Sequence, residues 1–396
     1  MTRKTLIYML CAALFCASAC HRIEQPPKGT VTLSFNVGSP ETRAESTGDG
    51  NAADGGGIYC AYEGGVVKPD LYIFLADETG QVIKYYDGLG VDLNDDGELS
   101  YNNYDSEKHS STSLMISFTF AQAGNFTVYA LANTRATGSN LVIPTLPNPA
   151  LMTSLTLSDL DGMILSLSTE ALTANAAVTP TVGDRMPLSA KGSLNVYKNE
   201  SSYSYNGQVG LEMLRCFGKV QFYFKNLTGA ALNLYRPEVK IYDMNAKEGY
   251  LFAHAPDDFV IPASGSNYRN FSWTAPNSST AYSIADGGTL SLLPTPPLFF
   301  PSIAPLKDKP SAGNRYLCDI IFRVPKPGVT YNANNSSTYN KKEFKNLPIH
   351  DNMSQDILAL GRNQYLKIET TISATAVSFN FIVKDWTDKP EEVFFH

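Results

Sequence analysis

A chain of 396 residues is long enough for two domains, and an apolar content of 43% supplies a core for each. The formal net charge is -7, with 31 basic and 38 acidic side chains and no Lys/Arg cluster, which argues against nucleic acid as a partner. Only 17% of residues are charged while Tyr (22) and Phe (20) are numerous, a balance that favours sheets over helices.

Arg3 and Lys4 precede an apolar run, residues 6–19, whose last members Ala17, Ser18 and Ala19 lead into Cys20. A basic start, a short apolar run and small residues before a cleavage point make a secretory signal. The run is shorter than the roughly 20 residues a spanning helix needs. Small residues before a cysteine resemble a bacterial lipobox, with Ala17 where that box usually carries Leu. Residues 1–19 are therefore expected to be a lipoprotein signal peptide and Cys20 the acylated first residue of the exported chain. After a polar spacer with Pro26 and Pro27, residues 31–37 alternate apolar and polar, the pattern of a strand with one buried face. Arg43 and Ala44 follow, and residues 46–57, rich in Gly, Asp and Asn, carry too little apolar surface for a fixed shape. One arginine in such a setting invites cleavage between Arg43 and Ala44. Loss of residues 1–43 leaves 26 basic and 36 acidic side chains, a net charge of -10.

Further on, residues 70–75 and 81–86 flank Asp77-Glu78-Thr79-Gly80 and predict a hairpin. Asp92, Asn94 and Asp96 match the first positions of a calcium loop, although Asn103 stands where its bidentate Glu belongs. The plainer reading of that stretch is an acidic hairpin turn. Residues 114–120 and 126–133, on either side of Ala123-Gly124-Asn125, predict a second hairpin. Pro144, Pro147 and Pro149 make residues 134–150 a loop, and Ser158 caps a predicted helix over 158–174. The polar run 198–207 predicts the end of a domain, with the division at 200/201. Residues 211–226 form the most strongly patterned strand: Leu214, Cys216, Val220, Phe222 and Phe224 share one face, and Gly218 marks a bulge or a close backbone approach. Strands are also predicted over 239–244, 271–274, 316–324, 364–372 and 377–386, with long loops over 253–313 and 325–356. Many short strands and few helices give an all-β fold of β-sandwiches.

Cys11, Cys16 and Cys20 belong to the export segment, and Cys60, Cys216 and Cys318 remain. An odd number is not a disulfide framework; Cys216 and Cys318 read as small core residues, with one bridge among the three left open. The five histidines are scattered, and no nucleophile elbow, metal-ligand spacing or phosphate-cradling loop occurs, so neither enzyme activity nor a cofactor is expected. Tyr62, Tyr101, Tyr104, Tyr203 and Tyr205 could stack on sugars, though tyrosine is equally a strand residue.

The lipobox Cys20, the early strand, Thr42-Arg43-Ala44, Leu71-Tyr72-Ile73-Phe74, residues 126–133, Met186-Pro187-Leu188-Ser189, the 214–220 strand and Val383-Lys384-Asp385-Trp386 occur in one order along the chain. In that order the sequence resembles the Bacteroidales fimbrillin family, the FimA- and Mfa-like lipoprotein subunits of type V pili. The resemblance implies two transthyretin-like β-sandwich domains with Greek-key-type strands, over 44–200 and 201–396, behind a propeptide at 20–43. It also implies a palmitate-type anchor on Cys20 in the outer membrane, an arginine-specific protease acting at Arg43, and other fimbrial subunits as partners in a cell-surface fimbrium assembled by strand exchange. The donor strand would be residues 387–396, with Val393, Phe394 and Phe395; the alternative is that these residues finish the local sheet. An accessory anchor or tip adhesin, and a monomeric glycan-binding surface lipoprotein, are the other readings the residues leave open.

Overall fold

The computed structural model describes residues 29–37, 66–67, 71–87, 91–92, 98–105, 110–120, 122–134, 141–142, 155–168, 186–201, 204–245, 247–254, 269–293, 297–303, 316–350, 357 and 359–385. Among them the only α-helix, α1 (Leu157–Asp161), has five residues, and the fold is all-β.

The first sheet is built from β1 (Gly29–Val37), β2 (Leu71–Ala76), β3 (Val82–Asp87), β4 (Ser110–Phe120), β5 (Gly124–Ala132), β6 (Leu188–Asn199) and β7 (Ser204–Arg215). Their order across the sheet is β4-β1-β7-β6-β5-β2-β3, with short strands at the edges: 66–67 and 98–105 pair with β4, and 91–92 with β3. The sheet curls so that its two halves face each other. Val31, Leu33 and Phe35 of β1, with Ile116, Phe118 and Phe120 of β4, share a core with Leu71, Ile73 and Leu75 of β2 and with Phe126, Val128 and Ala130 of β5. The opposite faces of β2 and β5 are buried as well: Tyr72, Phe74, Tyr129 and Leu131 pack with Phe217, Phe252, Phe300 and Tyr365. Burial on both sides explains why β2 is an unbroken apolar run, as strands covered on both faces are.

The expected β2–β3 hairpin forms. Asp77 Oδ1 accepts hydrogen bonds from the Thr79 hydroxyl (2.6 Å) and the Thr79 and Gln81 amides (2.9 and 3.1 Å), which hold its carboxyl below the ordinary carboxylate pKa. Gly80, at φ +83°, supplies the left-handed turn residue. The second predicted hairpin does not form. β4 pairs with β1, and β5 with β6 and β2, so consecutive strands cross from one half of the sandwich to the other. Their inward faces are both apolar and meet across the core instead, with the Phe120 and Phe126 rings edge to face at 5.0 Å.

Two further sheets pack face to face. One holds β8 (Gly218–Leu227), β12 (Gln364–Ser373) and β13 (Val377–Asp385); the other holds β9 (Leu232–Asn245), β10 (Leu317–Pro325) and β11 (Tyr339–Pro348). β8 and β12 run parallel, and Phe222, Phe224 and Ile368 meet Ile241, Ile320 and Phe322 in the core between the sheets.

Several expectations are corrected here. Residues 211–226 are two strands, β7 and β8, in different sheets, because the chain turns at Cys216-Phe217. The 200/201 division lies in the turn between the paired strands β6 and β7. The predicted helix over 158–174 ends at Asp161, and residues Ile164–Leu167 pair as a strand with Glu248–Tyr250. β11 occupies part of the predicted 325–356 loop.

Gly218 is a place of close approach, as its sequence position suggested. A Cβ there would lie 2.6 Å from Leu360 Cγ and 3.0 Å from the Gly361 carbonyl oxygen. Gly218→Val is therefore expected to cost about 1–3 kcal/mol by overpacking, measured by chemical denaturation. The same turn joins the sandwiches. The buried Arg362 guanidinium donates to the Ser189 hydroxyl (3.0 Å), to the Leu251 carbonyl (2.9 Å) and to the Tyr250 carbonyl, while Arg215 donates to Asn363 Oδ1 (2.8 Å).

Candidate functional site

β1 is the element on which the sequence and the fold converge. Its odd positions Val31, Leu33 and Phe35 are 0%, 1% and 0% exposed, as the alternation required. Its even positions turn outward and are polar: Thr32 Oγ1 lies 3.2 Å from Ser117 Oγ, and the Ser34 hydroxyl donates to the Val209 carbonyl at 3.4 Å. β1 is antiparallel to β4 from Gly29 opposite Phe120 to Asn36 opposite Ser113. It is parallel to β7 from Val31 opposite Gly207 to Val37 opposite Met213. β4 and β7 do not pair with each other, so among the described residues β1 alone joins them.

Chain topology adds a second fact. β1 is an interior strand, yet it continues into the rest of the sheet only through residues 38–65, after which the chain re-enters as Val66–Val67 on the far side of β4. One cut in that connection would leave β1 held by packing and hydrogen bonds alone. Those are substantial: burying each of three large apolar side chains is worth about 1.5–3 kcal/mol. Without the strand, β4 and β7 would present two facing rows of unpaired backbone groups above an apolar trough, a template for another strand.

Lys84 of β3 bridges the open side of this sandwich. Its Nζ donates to the Thr119 carbonyl at 3.1 Å and lies 4.8 Å from the centre of the Phe118 ring. Gly192 of β6 leaves room for the Leu211 side chain of β7, since a Cβ there would lie 2.3 Å from Leu211 Cδ2. The partners of β1 are not legible in the sequence, because the first half of β7 is polar and glycine-containing, the pattern of a domain end.

The other expected sites fall elsewhere. Cys20, Arg43, Ala44, Val393, Phe394 and Phe395 lie outside the described residues, as do Cys60, Tyr62 and Tyr203. Asp92 ends a two-residue strand opposite Tyr86, while Asn94 and Asp96 also lie outside. Among the described residues no group of three or more His, Cys, Asp or Glu side chains could hold a metal ion. Cys216 and Cys318 are buried and unbridged; burial, with Asp319 adjacent, pushes the Cys318 thiol pKa up. Tyr101 and Tyr104 belong to the strand Glu98–Asp105, and Tyr205 packs partly against the β1 core.

No family model and no curated protein matches the sequence. Solved structures do resemble it. A candidate cell adhesion protein from Parabacteroides distasonis is 13% identical, with 93% of this chain and 99% of that one covered and a TM-score of 0.49. A fimbrilin, FimA, from Porphyromonas gingivalis is 11% identical (90% and 98% covered, TM-score 0.44). The tip fimbrial protein Mfa3 from the same organism, with a C-terminal truncation, is 10% identical (91% and 100% covered, TM-score 0.43).

Proposed function

We propose that this chain is a structural subunit of a cell-surface fimbria. It is exported as a lipoprotein anchored through Cys20 in the outer membrane, cut between Arg43 and Ala44 by an arginine-specific protease, and polymerised by strand exchange. The observation that carries this reading is the position of β1: interior to its sheet, supplying Val31, Leu33 and Phe35 to the core, and continued into the body only through the stretch that contains Arg43.

Magnitudes support exchange over simple loss. The three buried side chains of β1 are worth about 1.5–3 kcal/mol each, a large part of the roughly 5–15 kcal/mol that holds a domain folded. A subunit that loses β1 must refill the trough or lose much of its stability. A strand from a neighbouring subunit restores both ladders and the core, and it makes the polymer as durable as the fold itself.

Arg43→Ala tests the reading. The variant is expected to fold and reach the cell surface, to keep residues 20–43, and to form no high-mass ladder in gels run without boiling. A ladder equal to that of the unaltered chain would contradict it. Cys20→Ser is expected to abolish fatty-acid labelling of the precursor; label retained on the serine variant would place the acyl group elsewhere.

A further inference from the structure

β9 carries one extra residue near its start. Tyr235 lies opposite Arg323 and Glu238 opposite Ile321, so three steps along β9 match two along β10. The bulge holds Arg236 in the left-handed region, at φ +41°. The other four non-glycine residues described at positive φ are Asn or Asp, which tolerate it; an arginine is strained there. Bulges of this kind re-aim a side chain, and that of Arg236 is 47% exposed.

Three tyrosines gather beside it. Tyr235 stacks on Tyr331 with ring centres 3.9 Å apart, Tyr339 lies 5.3 Å from Tyr331, and the Arg323 guanidinium is 6.0 Å from the centre of the Tyr339 ring. Two things are missing from this cluster. Glu238 Oε1 accepts from Arg323 at 2.9 Å and lies 3.7 Å from Arg236 Nε, beyond hydrogen-bond reach, so two guanidinium groups share one carboxylate. The Tyr331 hydroxyl is buried and has no hydrogen-bond partner, and burial pushes its pKa up, which keeps the proton it could donate. In the adjoining loop Asn332 Oδ1 accepts from the Asn334 amide (2.9 Å) and Asn335 Oδ1 from the Ser337 amide (3.0 Å), leaving two exposed side-chain amide nitrogens as donors.

We propose that this end of the second pair of sheets, where β9 begins and β10 ends, binds an acidic sugar: a pyranose ring that bears a carboxylate. The carboxylate supplies both missing partners, a second negative charge for Arg236 and Arg323 and an acceptor for the Tyr331 hydroxyl. The tyrosine rings offer apolar faces to the sugar C–H groups, and Asn332 and Asn335 donate to its hydroxyls. Arg236, the most exposed member, meets the carboxylate first, and the swing of its long side chain uncovers the hydroxyl. A strained arginine and an orphan donor at one spot both lower the stability of the free chain, which marks a place kept for a ligand. Nothing in this depends on strand exchange.

The test uses the uncut chain and ligand titrations followed by saturation-transfer NMR. A methyl sialoside and methyl glucuronide are set against methyl glucoside, which is neutral, and N-acetylglutamate, a carboxylate without a ring. At least one acidic sugar is expected to bind and the glucoside is not. Arg236→Gln is expected to weaken that binding about tenfold or more, and Tyr331→Phe about threefold or more. Tyr331→Phe is also expected to melt no lower than the unaltered chain, since it removes a buried hydroxyl that has no partner. Failure of both acidic sugars to bind would overturn the inference, as would unchanged affinity in both variants. N-acetylglutamate binding as tightly as the sugars would show a carboxylate seat with no place for a ring and would overturn it too. A lower melting temperature for Tyr331→Phe would mean that the hydroxyl is already satisfied, with the same consequence.

Discussion

Phe35→Ala in the uncut chain is expected to lower stability by about 3–5 kcal/mol, the range for removing a buried aromatic ring. Phe35 is fully buried, paired to Leu211 on one side and Leu114 on the other, in the core that joins the two halves of the first sandwich. The loss should be read as a fall in the denaturant midpoint of the purified precursor. The same substitution carries a second expectation that an ordinary core residue would not. If the chain is cut and assembled as proposed, the segment bearing position 35 is lost, so polymers that form from Phe35→Ala precursor should match unaltered polymers in heat resistance. Polymers weakened as much as the precursor would mean that β1 remains in its own subunit.

Deleting residues 387–396 is expected to abolish polymers while leaving the melting temperature of the uncut subunit nearly unchanged. The ladder between β12 and β13 ends at Asp385 opposite Gln364, so the deleted residues lie beyond it. On the proposed exchange their contribution lies between subunits, where burying Val393 and Phe395 would be worth about 1.5–3 kcal/mol each in addition to backbone pairing. A fall of many degrees in the subunit's own melting temperature would show that the tail finishes a local sheet, and would favour an accessory or monomeric lipoprotein.

Where one face of a strand is buried and the other is wet, the sequence announces the strand. β1, β12 and β13 were legible from period-two alternation, and the β2–β3 hairpin from its apolar run and turn residues. β11 was not, because it is an edge strand: Lys341, Lys342, Glu343 and Lys345 lie largely exposed along it, and an edge gains solubility from such charges at the expense of pattern. The predicted helix over 158–174 failed through context. Thr156 and Asp159 form a capping box that starts α1, but Ile164–Leu167 finds a ladder against Glu248–Tyr250 and Leu165 reaches the core from there. The hairpin expected over 114–133 failed for a related reason: a short turn between two apolar strands does not reveal whether they pair edge to edge or meet face to face. In the candidate site, the burial of Val31, Leu33 and Phe35 was readable from their spacing. That the strand sits between β4 and β7 depends on residues far away in sequence and was not.

The central claim, that β1 leaves its own subunit on assembly, is tested most directly by N-terminal sequencing and intact mass of subunits recovered from surface polymers. Subunits that begin at Ala44, without an acyl group and without residues 31–37, are the expected result. Polymer subunits that begin at an acylated Cys20 and still contain Val31, Leu33 and Phe35 would contradict it.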